Sequence, residues 1–385
     1  MSVRTCLIAA CLLLSIGCRK TTAPPPTAPP PSTTTPAPEL SHSQGGETPA
    51  PQAKYFKGSI GSSLDLQMKL VRTGDQLAGS YFYQKVGTRI NVRGDVDKNG
   101  SLTLQEFDQA GKQTGLFKGI WTIDATDGLV TLAGNWSKPP GDKGSDKLTA
   151  FSLHEEPISF TGEVEIVGKQ IKDSNKKLMY EIAAQYPQIT GGNNPNFEKF
   201  NQVARTWVTK TVADFRKEMA PQEGETEPRP EGSMGSDLNV SYNVALAQDD
   251  LISVDFEVGS YYQGAAHPNS FSEVLNYDLK NGKQLKLSDL FKPGAKYLQA
   301  IATYCIADLK KQGKDKGLLD EEIEKGAAAS PKNYQSWTIT KRGIGIDFNS
   351  YQVGPYAAGP QFVLVPYSTL KDLINPEGPI AQFVK

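Results

Sequence analysis

The chain has 385 residues, and at roughly 100 to 200 residues per domain this length predicts two folded domains rather than one. Its 41 Lys and Arg residues nearly balance its 42 Asp and Glu residues, which leaves a formal net charge of -1. This balance argues against nucleic acid as a partner, because such proteins neutralise phosphates with an excess of positive charge. The 36 glycines and 26 prolines indicate a Gly-rich globular protein that also carries low-complexity sequence.

Residues 1–17 have the order of a secretory signal peptide. Arg4 precedes an apolar run that is too short to span a bilayer, and small residues then lead to Cys18. The pattern resembles a bacterial lipoprotein signal, which predicts that Cys18 becomes the lipidated N-terminus. The alternative is an ordinary secretory signal with an incidental cysteine. We expect the protein in the bacterial cell envelope, lipid-anchored on the exported side of a membrane, which is the outer membrane if the cell has two.

Residues 18–53 combine the cysteine with a tether rich in Pro, Thr, Ala and Ser that shows no apolar periodicity. Such a segment cannot bury enough apolar surface to fold. It favours polyproline II at about 3.1 Å per residue, so some thirty residues extend up to roughly 100 Å. The tether is predicted to hold the folded part away from the membrane.

Residues 54–156 repeat a short motif in which a glycine lies between apolar or aromatic residues, as in Leu77-Ala78-Gly79-Ser80-Tyr81. The apolar residues alternate with a period of two, which is typical of strands, and glycines within strands commonly mark bends. Turn signals separate the repeats. The pattern predicts about eight antiparallel strands in a meander that forms a barrel or half-barrel.

Within this domain, residues 95–106 match the twelve-residue EF-hand calcium loop. Asp95, Asp97 and Asn99 occupy positions one, three and five, Gly100 is at position six and Glu106 at position twelve. The calcium loop works between two helices, whereas the flanking residues alternate as strands. Asn99-Gly100 is also the strongest short-range signal for a two-residue hairpin turn. We therefore predict a hairpin, with a calcium-binding module as the alternative.

Residues 160–385 predict an α+β domain, in which an antiparallel sheet is packed by two main helices. The first helix begins at Asn194-Pro195 and carries an apolar stripe as far as Met219. The second runs from about Ala295 to Gln312. Cys305 lies on its apolar side, so we expect this cysteine to be a buried small hydrophobe and not a nucleophile.

Four sequence blocks stand out in this domain, namely Gly264-Ala265-Ala266-His267-Pro268, Tyr277-Asp278-Leu279, Leu287-Ser288-Asp289-Leu290-Phe291 and the stretch from Tyr351 to Gly359. With them, the domain resembles the extracellular domain shared by the anti-sigma factor RsiV, which senses lysozyme, and the peptidoglycan deacetylase PdaC, in which it accompanies a separate catalytic domain. The chain shows neither the transmembrane and cytoplasmic segments of the first nor the added deacetylase domain of the second, so the resemblance implies neither signalling nor deacetylation.

Motif searches yield no catalytic constellation and no metal or cofactor motif beyond the calcium-loop match. The residues predicted to contact a partner are aromatic or imidazole side chains beside ordered loops, where recognition residues are common. For His267 the competing interpretation is structural, with the ring tying its loop to backbone carbonyls. The candidates are Tyr261, Tyr262, His267, Tyr351 and Tyr356.

The sequence is compatible with two functions. The first is a non-catalytic envelope protein that needs no cofactor and binds an extracellular or periplasmic partner; the resemblance implies a lysozyme-like protein or a peptidoglycan fragment. The second is an enzyme that acts on cell-wall glycan through carboxylates, because glycan hydrolysis needs only two acids correctly placed. Paired acids with raised pKa values would favour the enzyme, and an open aromatic surface would favour the binding protein.

Overall fold

The structure is a computed structural model that describes residues 53–83, 88–126, 128–220, 235–313 and 316–384. The predicted signal peptide, Cys18 and almost all of the tether lie outside these residues. The predictions for them stay predictions.

The first domain is a closed barrel of eight antiparallel strands, in which β8 pairs back with β1. Alternate side chains point inward and form one apolar core, with Leu66, Phe117, Leu132 and Leu153 fully buried. The predicted meander barrel is confirmed. Its strands are β1 (Ala53–Ile60), β2 (Leu64–Thr73), β3 (Gln76–Tyr83), β4 (Arg89–Val96), β5 (Ser101–Phe107), β6 (Gln113–Ile123), β7 (Val130–Ser137) and β8 (Thr149–Glu156).

The repeated glycines lie where neighbouring strands approach closely. A Cβ atom added at Gly79 would lie 1.9 Å from the Lys69 carbonyl oxygen, and one at Gly94 would lie 1.9 Å from the Thr103 carbonyl oxygen. No side chain fits at such distances. The glycines therefore permit the tight curl that closes eight strands.

The second domain contains a seven-stranded sheet with one helix packed against one of its faces. Strands β11 and β12 run parallel, because helix α1 connects them across the sheet; β9 also pairs in parallel with β12, and the other pairs are antiparallel. The α+β class is confirmed with this addition. The elements are β9 (Ile158–Ser159), β10 (Glu165–Asn175), β11 (Tyr180–Thr190), α1 (Pro195–Met219), β12 (Ser236–Gln248), β13 (Leu251–Tyr261), β14 (Asn269–Asp278) and β15 (Lys283–Gln284).

Helix α1 begins as its sequence predicts. The Asn194 side chain accepts a hydrogen bond from the Asn196 backbone N–H at 2.9 Å, and Pro195 occupies the first helical position. The apolar stripe of the helix, including Phe200 and Val208, is buried against the sheet. This packing covers only one face of the sheet.

A second, three-stranded antiparallel sheet carries its own core and packs with the remaining helices. Cys305 lies within this core with no exposed surface, and burial, followed by the charge of Asp308, raises the pKa of its thiol to about 12. The prediction that it is a buried hydrophobe is confirmed. The elements are α2 (Tyr297–Gln312), α3 (Asp320–Gly326), β16 (Trp337–Ile339), β17 (Gly343–Phe348), β18 (Gln361–Pro366) and α4 (Tyr367–Leu370).

Polar contacts join the barrel to the seven-stranded sheet. The buried Gln67 side chain accepts from the Gly168 backbone N–H at 2.9 Å and donates to the Tyr242 hydroxyl at 3.3 Å. Lys69 forms an ion pair with Glu165 at 3.1 Å. Buried hydrogen bonds of this kind are costly to break because they would leave unpaired groups, so the contacts fix the barrel on the sheet.

Candidate functional site

Three of the five predicted contact residues form an aromatic cluster, defined here as His267, Tyr351 and Tyr356. The His267 and Tyr356 rings stack with centroids 4.0 Å apart, and the Tyr351 and Tyr356 centroids are 5.5 Å apart. The Tyr351 hydroxyl lies 3.2 Å from His267 Nε2. These side chains come from two loops, one before β14 and one after β17, so the fold brings together residues that are distant in sequence.

Hydrogen bonds hold the cluster in place through one carbonyl group. The Tyr356 hydroxyl donates to the Pro268 carbonyl oxygen at 2.8 Å, and His267 Nδ1 lies 2.8 Å from the same oxygen. Because a carbonyl oxygen can only accept, Nδ1 carries the proton, and in the neutral ring Nε2 accepts from the Tyr351 hydroxyl. His267 therefore ties its loop to a backbone carbonyl, as the structural interpretation predicts, and it also contributes a ring to the aromatic cluster.

Tyr351 is the most unusual residue of the cluster. Its backbone adopts φ +69°, which a non-glycine residue rarely does, and its side chain is 63% exposed. Backbone strain of this kind persists where the surrounding structure enforces it, and it is concentrated at functional sites. The strain presents a large aromatic ring to solvent beside two others.

The remaining two candidates lie outside the cluster. The Tyr262 hydroxyl donates to Glu218, and its ring lies 5.6 Å from Phe215, so Tyr262 packs against helix α1. Tyr261 ends β13, half-buried and opposite Asp237 on β12. The double tyrosine therefore splits between the two sides of the sheet.

A pair of carboxyl groups, which the sequence did not reveal, lies where the two sheets of the second domain meet. Burial, followed by the charge of Asp255, raises the pKa of Asp347 to about 7. Burial is also the main cause of the raised pKa of Asp255, whose carboxylate accepts a hydrogen bond from the Ser272 hydroxyl. The Ser272 backbone N–H donates to the Asn349 side chain at 2.8 Å, which links the pair to the loop that carries Tyr351.

The calcium-loop match forms a hairpin between β4 and β5, as predicted. The Asp97 carboxylate accepts hydrogen bonds from the backbone N–H groups of Asn99 and Ser101, both at 2.8 Å. The Gly100 backbone N–H donates to the Asp97 carbonyl oxygen at 3.0 Å, so Lys98 and Asn99 are the central residues of the turn and Gly100 follows them with φ +82°. The hairpin is as predicted, but its turn is longer than the predicted two-residue Asn99-Gly100 turn. Backbone N–H groups of the turn therefore donate to the Asp97 carboxylate, which the EF-hand pattern would assign to calcium as a ligand.

Glu106, the twelfth position of that pattern, points into the end of the barrel and is buried. Its carboxylate accepts hydrogen bonds from the Tyr81 hydroxyl at 2.7 Å, the Thr114 hydroxyl at 2.6 Å and the Trp136 Nε1–H at 2.9 Å. Three donors satisfy this carboxylate within the barrel. It acts here as a structural acceptor.

Within the described part of the chain, no group of three or more His, Cys, Asp and Glu side chains is arranged to hold a metal ion. The same residues contain no helix with both the length and the apolar character needed to cross a membrane.

Comparisons with known families match two segments of the second domain. Residues 173–270 match the family described as "Deacetylase PdaC", and residues 288–368 match "Protein of unknown function (DUF3298)". The resemblance predicted from the four sequence blocks is thereby confirmed.

Two relatives are each 27% identical to part of this chain. The peptidoglycan-N-acetylmuramic acid deacetylase PdaC of Bacillus subtilis (strain 168) is 27% identical over 201 residues, which cover 52% of this chain and 40% of that protein. The immunogenic protein MPT64 of Mycobacterium tuberculosis is 27% identical over 111 residues, 29% of this chain and 47% of that protein. The chain spans less than half the length of these relatives.

Two solved structures are also similar. A DUF3298 family member from Bacteroides fragilis aligns with a TM-score of 0.44 and 21% identity, covering 58% of this chain and 98% of that one. A DUF3298 family protein from Pseudomonas aeruginosa aligns with a TM-score of 0.38 and 16% identity, covering 55% and 94%.

Proposed function

We propose that this protein is a non-catalytic binding protein of the bacterial envelope, anchored by lipid on Cys18, and that the aromatic cluster is its contact surface for a peptidoglycan fragment. The observation that carries the proposal is the contact of two exposed rings, His267 and Tyr351, with the half-buried Tyr356 ring, which stacks on His267. Aromatic rings offer a flat apolar face together with polar hydrogen-bonding edges, which suits the face of a sugar ring.

Preorganisation supports a binding role. Hydrogen bonds to the Pro268 carbonyl and between Tyr351 and His267 already hold the rings in position. Ordering mobile side chains costs about 0.5 to 1.5 kcal/mol each on binding, so a cluster ordered beforehand retains more of its contact energy. The name of the relative PdaC concerns peptidoglycan, which supports a wall component as the ligand. The family resemblance keeps a lysozyme-like protein as the alternative partner.

The test is the affinity of the full chain, in detergent, for soluble peptidoglycan fragments. Tyr351→Ala and Tyr356→Ala should each weaken binding at least tenfold, because aromatic anchors carry much of the energy of such contacts. Tyr262→Ala is the matched control, since this tyrosine packs against α1, and it should bind like wild type. Cluster variants that remain folded and bind with unchanged affinity would contradict the proposal. Binding of lysozyme in place of the fragments would identify a protein partner.

A second candidate function rests on Asp255 and Asp347. A carboxyl group that keeps its proton up to about pH 7 beside a second acid has the properties of an acid and base pair for glycoside hydrolysis. If the protein is an enzyme, Asp347→Asn and Asp255→Asn should each abolish turnover of wall glycan. Turnover assays on the same protein preparations separate this function from binding.

A further inference from the structure

The face of the seven-stranded sheet opposite α1 is covered only in part among the described residues, because Ser253 and Asn276 are hydrogen-bonded to Ile339 and Trp337 of the three-stranded sheet. Side chains such as Val240 lie on the face that packs with α1 and are buried, whereas their neighbours on β12 point the other way. These outward residues, with those of their partners on the adjacent strands that the three-stranded sheet leaves uncovered, form what we name the open face. Its exposed members are Lys172, Ser174, Glu181, Asp237, Asn239, Asn243 and Glu257.

Strand register arranges part of the open face into a straight lane across five strands. Three of its five residues, Ala183, Gly259 and Ser270, are small, so a ligand can approach the backbone closely. Four strand intervals of about 4.8 Å give the lane a length of about 19 Å. In order across β10 to β14, the lane consists of Lys172, Ala183, Asn239, Gly259 and Ser270.

The aromatic cluster lies at one end of this lane. Ser270 follows Pro268 closely at the start of β14, and the Pro268 carbonyl accepts the hydrogen bond from Tyr356. At the other end, surface depressions of about 810 Å³ and 410 Å³ open between β10, β11 and β12. Both are lined by Ser174, Glu181 and Asp237. A single extended ligand can therefore contact rings at one end and a polar depression at the other.

Carboxylates flank the lane on both sides. On one side, Glu181 of β11 is the direct neighbour of Asp237 of β12. On the other side, Glu257 of β13 is the direct neighbour of the uncharged Ser241 of β12. Like charges on adjacent strands are unfavourable. Burial and the charge of Glu181 both raise the pKa of Asp237, which reflects the cost of holding a second negative charge there. A positively charged ligand would relieve this repulsion.

We infer that the open face binds a linear glycan whose amino sugars carry free ammonium groups, with one end of the chain on the aromatic cluster. This inference rests on the proposed function and specifies its ligand class. The rings contact the sugar faces whether or not the amines are acetylated. The carboxylates of Glu181, Asp237 and Glu257 form ion pairs with ammonium groups, whereas an acetamide offers them only a weaker, uncharged N–H donor.

The test compares glucosamine oligomers with N-acetylglucosamine oligomers of the same length, measured by calorimetry on the full chain in detergent near neutral pH. Wild type should bind the glucosamine oligomer at least tenfold more tightly, and added salt should reduce that preference, because exposed charges are screened. The double variant Asp237→Asn, Glu257→Gln should lose the preference. Glu273→Gln is the matched control, since Glu273 is an exposed acid of β14 on the opposite, helix-covered face.

The outcomes separate this inference from the proposed function. Tyr351→Ala should lower the affinity for both oligomers by the same factor. If it does not, the result counts against the aromatic cluster and leaves the open face unaffected. Equal affinity of wild type for the two oligomers, or an equal loss in Glu273→Gln and the double variant, would overturn the role of the open face. Binding of a basic protein with no binding of either oligomer would overturn it as well.

Discussion

Asp347 links protonation to stability at the level of a single side chain. Burial, followed by the charge of Asp255, raises its pKa to about 7 from the ordinary value of 3.8. The folded protein therefore binds this proton more tightly than the unfolded chain does. Its contribution to stability is fully present below about pH 4 and is lost as the pH rises through about 7.

Replacing Asp347 with Asn removes this loss. The free energy of unfolding of Asp347→Asn should exceed that of wild type by roughly 2 to 4 kcal/mol at pH 8, and the difference should vanish towards pH 4. Urea denaturation at several pH values measures it. Asp142→Asn, at an exposed loop position, serves as the control and should show no such pH dependence. A variant that is equally or less stable than wild type at pH 8 would contradict the assigned protonation.

The residues of the aromatic cluster could be predicted from sequence patterns, but the pair of carboxyl groups could not. His267 and the tyrosines occur in recognisable loop motifs, and proline and glycine neighbours indicate ordered turns. Asp255 and Asp347 lie on strands of two different sheets, and each occurs in an ordinary alternating pattern. Only the packing of the sheets brings them together, and no local signal encodes that packing.

The β4–β5 hairpin shows how context decides between two uses of the same residues. The Asp97 carboxylate accepts hydrogen bonds from backbone N–H groups of the turn. The Glu106 carboxylate accepts hydrogen bonds from side chains inside the barrel, so both acids of the EF-hand pattern have structural roles here. The alternation of the flanking residues predicted this outcome. The short motif alone did not.

Millimolar calcium should therefore leave the thermal unfolding temperature unchanged, since a ligand that binds only the folded state would raise it. Glu106→Ala should lower the free energy of unfolding by about 3 kcal/mol, equally with and without calcium, because it leaves buried donors unpaired. Gln105→Ala, an exposed neighbour on β5, is the control. A calcium-dependent rise of several degrees that disappears in Glu106→Ala would show that the loop binds metal.

Strand directions were harder to predict than strand positions. Helix α1 lies where its capping residues and apolar stripe predicted it, but the parallel pairing of β11 with β12 was not predicted. Alternation looks the same in parallel and antiparallel strands. The direction follows from the crossover through α1, which is a property of the connected unit rather than of either strand.

The whole molecule is proposed to combine a lipid anchor, a tether, a barrel and a ligand-binding second domain. The anchor is a prediction that rests on Cys18 and the preceding small residues. Cys18→Ser should release the protein from the membrane fraction or block its processing. Cell fractionation, with mass spectrometry of the N-terminal peptide, measures both effects. An unchanged membrane fraction together with an unlipidated peptide would contradict the anchor.

The most direct test of the central claim, binding without catalysis, is mass spectrometry of peptidoglycan fragments recovered after incubation with the full chain. Wild type should retain the fragments and return them with unchanged mass, and Tyr351→Ala should retain far less. Fragments that return shortened or deacetylated by wild type, but intact from Asp347→Asn, would contradict it and make the protein an enzyme.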